Sequence, residues 1–245
     1  MTNTRYAHRG YHQKPQIPEN SLPAFARAIE RGWGAELDVH LTKDGKLVVF
    51  HDSELFRCTG EKGILEECTF GELMQLRLEG TDNKIPSFDQ VLSMFEGVQP
   101  LIIELKAYGG NHKELAKKVC ERLGSYKGDY CIESFDPRAI LAVKKLRPDI
   151  CIGQLSQNFF RGEEAAVAKW QRRVLTNLWF NALTKPDFVA YKFEDRENKA
   201  NRRAIKRGCQ EVCWTIRSKK DMLAVEAGGG IAIFEGFDPD AEEAK

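Results

Sequence analysis

The chain has 245 residues, 42% hydrophobic and 30% charged, the balance of a folded protein with a full core rather than a disordered one. Its 37 Lys and Arg against 36 Asp and Glu leave a formal charge of +1, which gives no support to a nucleic-acid partner, whose binders carry a basic excess. No apolar run reaches the roughly 20 residues of a spanning helix, the start lacks the apolar stretch of a secretory signal, and the seven cysteines include no CxxC pair. These features lead us to expect a cytoplasmic protein with free thiols and no stable membrane insertion, and they leave room for a homo-oligomer.

Short apolar, β-branched runs predict strands at Tyr6–Arg9, Ala35–Leu41, Leu101–Leu105, Asp129–Phe135, Ile150–Leu155, Phe188–Lys192, Val212–Ile216 and Ile231–Phe234. Helical spacing falls between them. Ser21–Arg31 has Asn20 or Ser21 as its cap, and Ser87–Phe95, Lys113–Leu123, Pro137–Leu146, Glu163–Val174 and Glu197–Arg207 follow. Ser218–Ala227 is ended by Gly228, Gly229 and Gly230. Strands alternating with helices about every 30 residues predict an α/β fold, a (β/α)8 TIM barrel, with residues 1–245 as one domain. A doubly wound open sheet is the alternative, because periodicity does not report closure.

One run breaks the alternation. Lys46–Phe50 follows Leu41 after only Thr42-Lys43-Asp44-Gly45, too short for a parallel crossover but suited to an antiparallel hairpin. It opens an insertion over about 43–85, after the second barrel strand, and Pro86-Ser87 restarts the regular pattern. A barrel builds its substrate cover at that rim.

The second strand alternates Glu36, Asp38 and His40 with Leu37, Val39 and Leu41; the third barrel strand alternates Ile102, Glu104 and Lys106 with Leu101, Ile103 and Leu105. With the apolar sets under the helices, three carboxylates converge in the barrel interior, where an unpaired charge costs several kcal/mol. Either a divalent cation, Mg²⁺ or Ca²⁺ for an all-oxygen set, or internal pairing such as Glu104 with Lys106 or Glu36 with Arg9 relieves the repulsion. His8 and His51 end strands on the same rim and titrate near neutrality, while Arg9 and Lys106 offer charge to an anionic oxygen centre. A metal, two imidazoles and two cations together suit phosphodiester cleavage.

Ala7-His8-Arg9-Gly10, Pro18-Glu19-Asn20-Ser21, Glu36-x-Asp38-Val39, Thr42-x-Asp44-Gly45, Val48-Val49-x-His51-Asp52 and Ile103-Glu104-Leu105-Lys106, in this order and spacing, resemble the glycerophosphodiester phosphodiesterase family. Weaker likeness continues through Ser134-Phe135 and Cys213-Trp214-Thr215. The resemblance implies a barrel with a small insertion after its second strand and a metal on Glu36, Asp38 and Glu104. It implies His8 and His51 as the acid–base pair and Arg9 and Lys106 as phosphate contacts; which ring is base and which acid stays open, with His8 our first choice for the base. Glu19 and Asn20 match polar residues around metal and substrate, and Lys192 and Trp214 match pocket residues more loosely. Ile231–Phe237 departs from the Thr-Asp-x-Pro ending of many members, which bears on the leaving alcohol.

The reaction so implied is metal-dependent hydrolysis of a glycerophosphodiester to sn-glycerol 3-phosphate and an alcohol. Its rivals are a lysophospholipase D, a retired enzyme that only binds phosphodiesters, and a barrel aldolase or isomerase, for which no Schiff-base lysine stands out. Elsewhere the expectations are structural. His12, His112, Glu61, Glu66 and Glu67 read as solvated, His40 as inward-facing or above the site. The aromatic group Phe159, Phe160, Trp170, Trp179 and Phe180 reads as helix-to-barrel packing, with an apolar mouth as its alternative.

Overall fold

The computed structural model describes residues 5–161 and 168–241. Its strands are β1 (Arg5–Ala7), β2 (Gly34–Leu41), β3 (Leu47–Val49), β4 (Leu101–Leu105), β5 (Tyr130–Ser134), β6 (Ile152–Ser156), β7 (Phe188–Lys192), β8 (Gln210–Ile216) and β9 (Ile231–Phe234). All but β3 pair in parallel in the order β1-β9-β8-β7-β6-β5-β4-β2, and β2 returns to β1 through Tyr6↔Gly34 and Ala7↔Ala35. The sheet is thus a closed eight-stranded barrel, and the open-sheet alternative falls. β3 lies outside it, antiparallel to β2 with Val39 opposite Val49, as the short Asp-Gly turn requires.

Residues facing out from the strands (Leu37, Val39, Ile103, Leu105, Ile132, Ile152) share one core with the helices α1 (Leu22–Glu30), α4 (Phe88–Phe95), α5 (His112–Leu123) and α6 (Pro137–Leu146). The inward floor is a second cluster including Tyr6, Ile102, Cys131, Phe188, Val212 and Ile233. Ser21 caps α1 by accepting from the Ala24 amide. Gly10 (φ +78°) turns the chain back against that helix, where a Cβ would sit 2.9 Å from the Ala24 carbonyl carbon.

The segment between β3 and α4 holds two short helices, α2 (Phe56–Thr59) and α3 (Phe70–Leu73), around its own apolar centre of Phe50, Leu55, Cys58, Leu65, Leu73 and Ile85. An ion network pins it to the β1–α1 loop. Arg57 donates to Glu19 Oε1 at 2.6 Å and to Asp52, while Lys14 bonds Glu19 and lies 3.3 Å from Glu79.

Two expectations need correction. The predicted helix Glu163–Val174 has its first residues outside the described ones, and the described helix runs Lys169–Thr176. Of the aromatic group only Phe159 is buried; Phe160, Trp170 and Trp179 are more than half exposed. Helical spacing does not tell which side of a helix faces the barrel when both sides carry large apolar residues.

Two outcomes follow. Gly153 faces the floor where a Cβ would lie 2.1 Å from the Phe188 ring, so Gly153→Ala should overpack it by about 1–3 kcal/mol. A thermal melt should show a drop of several degrees, and an unchanged Tm would mean that Phe188 can move aside. Burial opposes the charge on Glu19, but the hydrogen bond from Arg57 and the nearby Arg9 and Lys14 outweigh it and hold the carboxyl well below its usual range. A depressed folded value stabilises above the unfolded pKa of about 4.3 and loses that contribution as pH falls. Glu19→Gln should therefore cost about 2 kcal/mol at pH 7, discounted because Arg57 is partly exposed, and the gap should close below about pH 4 in denaturant titrations.

Candidate active site

The C-terminal ends of β1, β2 and β4 meet on one side of the barrel mouth. Glu36, Asp38 and Glu104 each bring a carboxylate oxygen within 4.8 Å of the others, and all three are buried. Register accounts for this, since Asp38 lies opposite Glu104 and Glu36 is one inward step below on β2. Lys106 reaches over them, 3.0 Å from Glu104 Oε1 and 3.4 Å from Asp38 Oδ1. His8 and Arg9 lie just past β1, rather than in it as their apolar context predicts, because the chain turns at Arg9 with φ 55°. That turn brings the Arg9 amide to Glu36 Oε2 at 3.1 Å and its Nε to 3.6 Å from Asp38 Oδ2. Asn20, also left-handed (φ 53°), donates its side-chain amide to Asp38 Oδ2 at 2.8 Å. Such backbone is uncommon away from glycine and gathers at functional sites. Both oxygens of Glu19 are taken by Arg9, Lys14 and Arg57, so it holds these cations in place.

Each rim imidazole is tethered by a carboxylate. His8 Nδ1 lies 2.5 Å from Glu235 Oε2, and its Nε2 faces Glu36 Oε2 at 3.9 Å. His51 Nδ1 lies 2.5 Å from Asp52 Oδ1, and Asp52 in turn bonds Arg57. In both rings the Nδ1 position is committed and Nε2 is left for chemistry. Burial pushes His8 down to about 4 despite Glu235, and it lowers His51 as well, with Asp38 opposing. His40 belongs to the support: its Nδ1 pairs with Glu66 at 2.6 Å and its Nε2 lies 3.1 Å from the His51 carbonyl. Glu66 and His12 are thus not the solvated residues expected, since Glu66 holds His40 and His12 Nε2 lies 3.9 Å from Glu235.

Two further acids enter the site that pattern reading passed over. Glu235 stands at the end of the last barrel strand, a position that reads as functional once closure is known. Glu133 lies on β5 directly beside Glu104, and the alternation Cys131, Glu133, Phe135 was the available signal. Four buried carboxylates, Glu36, Asp38, Glu104 and Glu133, then face two partly buried cations, Arg9 and Lys106. The imbalance shows in their titration. Burial, then the charges of its neighbours, raises Glu36 and Glu133 well above the usual carboxylate range, and burial pushes Glu104 up to about 7. Asp38 stays well below, because Lys106, His51 and Arg9 outweigh its burial. Arg9 Nε, Asn20 Oδ1, Asp38 Oδ1 and Glu133 Oε2 have no hydrogen-bond partner although buried. Unmatched charge and orphaned polar atoms at one spot fit a hard divalent cation with a polar ligand.

Across the mouth, Trp214 gives its indole N–H to the Ala190 carbonyl at 3.2 Å and meets Phe135 edge-on at 5.6 Å. Phe135 also lines a cavity of about 590 Å³ with Phe159, Trp170, Val174 and Phe180. Lys192 lies opposite Trp214 in the strand register, farther round the barrel from the acids.

The sequence profile of the glycerophosphoryl diester phosphodiesterase family matches residues 8–235. A glycerophosphodiester phosphodiesterase of Caldanaerobacter subterraneus subsp. tengcongensis is 30% identical over 228 residues, covering 88% of this chain and 86% of that protein. Human lysophospholipase D is 33% identical over 125 residues, 46% of this chain and 38% of that protein. Among solved structures, an Oleispira antarctica phosphodiesterase in complex with the product sn-glycerol-3-phosphate superposes with a TM-score of 0.77 at 24% identity, covering 95% of this chain and 92% of that one. The glycerophosphodiester phosphodiesterase of Thermotoga maritima gives 0.71 at 25% identity, over 96% and 95% of the two chains. With its profile, its sequence relative and its barrel in agreement, the chain belongs to the glycerophosphoryl diester phosphodiesterase family.

Proposed function

We propose that the chain hydrolyses a glycerophosphodiester to sn-glycerol 3-phosphate and an alcohol around a divalent cation, Mg²⁺ or Ca²⁺, held by Glu36, Asp38 and Glu104, with His8 and His51 as base and acid. The observation that carries this is the knot of three buried carboxylates flanked by two carboxylate-tethered imidazoles. When bound, the cation neutralises charge on a phosphoryl oxygen and lowers the pKa of a hydroxyl. Arg9 and Lys106 hold the anionic phosphate, and Asn20 fixes Asp38. His8 takes through Nε2 the proton of the attacking oxygen as the new P–O bond forms, either water directly or the glycerol 2-hydroxyl, whose cyclic phosphate a water then opens to glycerol 3-phosphate. His51, protonated on Nε2 in the substrate complex with Asp52 on its Nδ1–H, gives that Nε2 proton to the leaving alkoxide as the old P–O bond breaks. Glu235 and Asp52 hold each ring in one tautomer and stabilise it when charged.

The apolar cavity beside Phe135 favours a second substrate class, diesters that carry an acyl chain, as the name of the human relative describes for that protein. The seven cysteines are all unpaired, which supports residence in a reducing compartment. No helix among the described residues is long and apolar enough to cross a membrane.

Glycerol 3-phosphate release from several glycerophosphodiesters should vanish on chelation and return with Mg²⁺ or Ca²⁺; release untouched by chelation would remove the cation from the mechanism. His8→Ala and His51→Ala should each lower kcat at least about 100-fold, and near-normal turnover would dismiss that ring. Comparing lysophosphatidylcholine with glycerophosphocholine tests the cavity. A kcat/KM gain for the acylated diester that is lost in Phe135→Ala supports the acyl reading, and equal values discard it.

A further inference from the structure

Glu133 is not accounted for by the scheme above. Along β5, Cys131 and Phe135 pack with the barrel interior while Ile132 joins the outer core, so Glu133 points inward. It is 1% exposed and its Oε2 has no hydrogen-bond partner. A carboxyl left so in an apolar interior loses its hydration without replacement. No cation pairs with it among the described residues, because Lys106 is engaged by Asp38 and Glu104, and Arg9 by Glu19 and Asp38.

Nor does Glu133 complete the tight carboxylate group. The three acids whose oxygens approach within 4.8 Å of one another are Glu36, Asp38 and Glu104, and Glu133 sits one strand farther round, opposite Glu104. Beyond it the wall is Leu155, Phe135 and Trp214, whose only polar hydrogen is already given to Ala190. The surrounding side chains thus leave Glu133 Oε2 without a partner, and a ligand in the mouth can bring one. A phosphoryl oxygen suits only a protonated carboxyl, whereas a hydroxyl, donor and acceptor both, suits either form, and adjacent strands stand only about 4.8 Å apart. That spacing lets one small polyol phosphate reach from Lys106 and the carboxylate knot to Glu133.

We infer that Glu133 accepts a hydrogen bond from a free hydroxyl of the substrate's glycerol unit and so selects for polyol phosphodiesters over simple alkyl ones. The assignment rests on the phosphodiesterase reading. It makes Glu133 a specificity-determining residue and leaves the bond-breaking steps to the histidines.

Calorimetric binding tests it without turnover. The full chain, with Mg²⁺ or Ca²⁺ present, is titrated with sn-glycerol 3-phosphate, 3-hydroxypropyl phosphate (no central hydroxyl) and 2-hydroxypropyl phosphate (no terminal hydroxyl). Wild type should lose about tenfold or more in affinity when one particular hydroxyl is absent. Glu133→Leu should lose the same factor on glycerol 3-phosphate and nothing further on that deoxy analogue. Glu133→Gln keeps the shape and one acceptor oxygen and should recover part of the loss. The assignment is overturned if Glu133→Leu and Glu133→Gln weaken all three phosphates equally, if neither has an effect, or if both lose divalent-cation affinity in titrations without phosphate. Failure of the phosphodiesterase reading looks different: wild type itself would bind none of the phosphates and release no glycerol 3-phosphate.

Discussion

Inside the barrel mouth, carboxyl groups outnumber the cations that reach them by two. Glu36, Asp38, Glu104 and Glu133 are buried within a span of three neighbouring strands, and Arg9 and Lys106 are the cations that reach them. Isolated carboxylates lose several kcal/mol each on leaving water, so a fold that assembles four of them depends on a compensating charge. Proton uptake supplies it in part, as the raised positions of Glu36 and Glu133 indicate. A hard divalent ion would supply it fully, and the oxygen-only donor set suits one.

The rest of the architecture keeps that concentration in one geometry. The β2–β4 register sets Asp38 against Glu104, and the left-handed turns at Arg9 and Asn20 bring a backbone amide, a guanidinium and a side-chain amide to the same carboxylates. The insertion contributes through ion pairs more than through packing. Arg57 ties Glu19 to Asp52, and Asp52 orients His51. Glu66 and His40 secure the backbone at His51 from below. A histidine supplied by the hairpin is thereby as well held as the one supplied at the end of β1. Side chains fixed in this way avoid reorganisation when charge develops.

Much of this was legible in the residues. Strict alternation at Glu36-Leu37-Asp38 and Glu104-Leu105-Lys106 assigns inward faces without coordinates, and a four-residue Asp-Gly turn excludes a parallel crossover. What escaped depends on closure and on loops folding back. Glu133 is one acid in an apolar strand, and its importance appears only when β5 is seen beside β4. Glu235 precedes a glycine turn, and its place beside His8 appears only when β9 is found adjoining β1. His12 and Glu66 sit in polar loops whose partners are more than twenty residues away in sequence. The aromatic residues between 159 and 180 failed for the opposite reason, since apolar character alone does not say whether a side chain packs or lines an opening.

The most direct test of the central claim is calorimetric titration of the chain with Ca²⁺ or Mg²⁺ near neutral pH, in two buffers of different ionisation enthalpy. Carboxyls that hold protons because they are buried together must release them when a cation replaces those protons. The account predicts one cation per chain, bound with net proton release. Titrations showing no binding, or binding with no proton released, would contradict it.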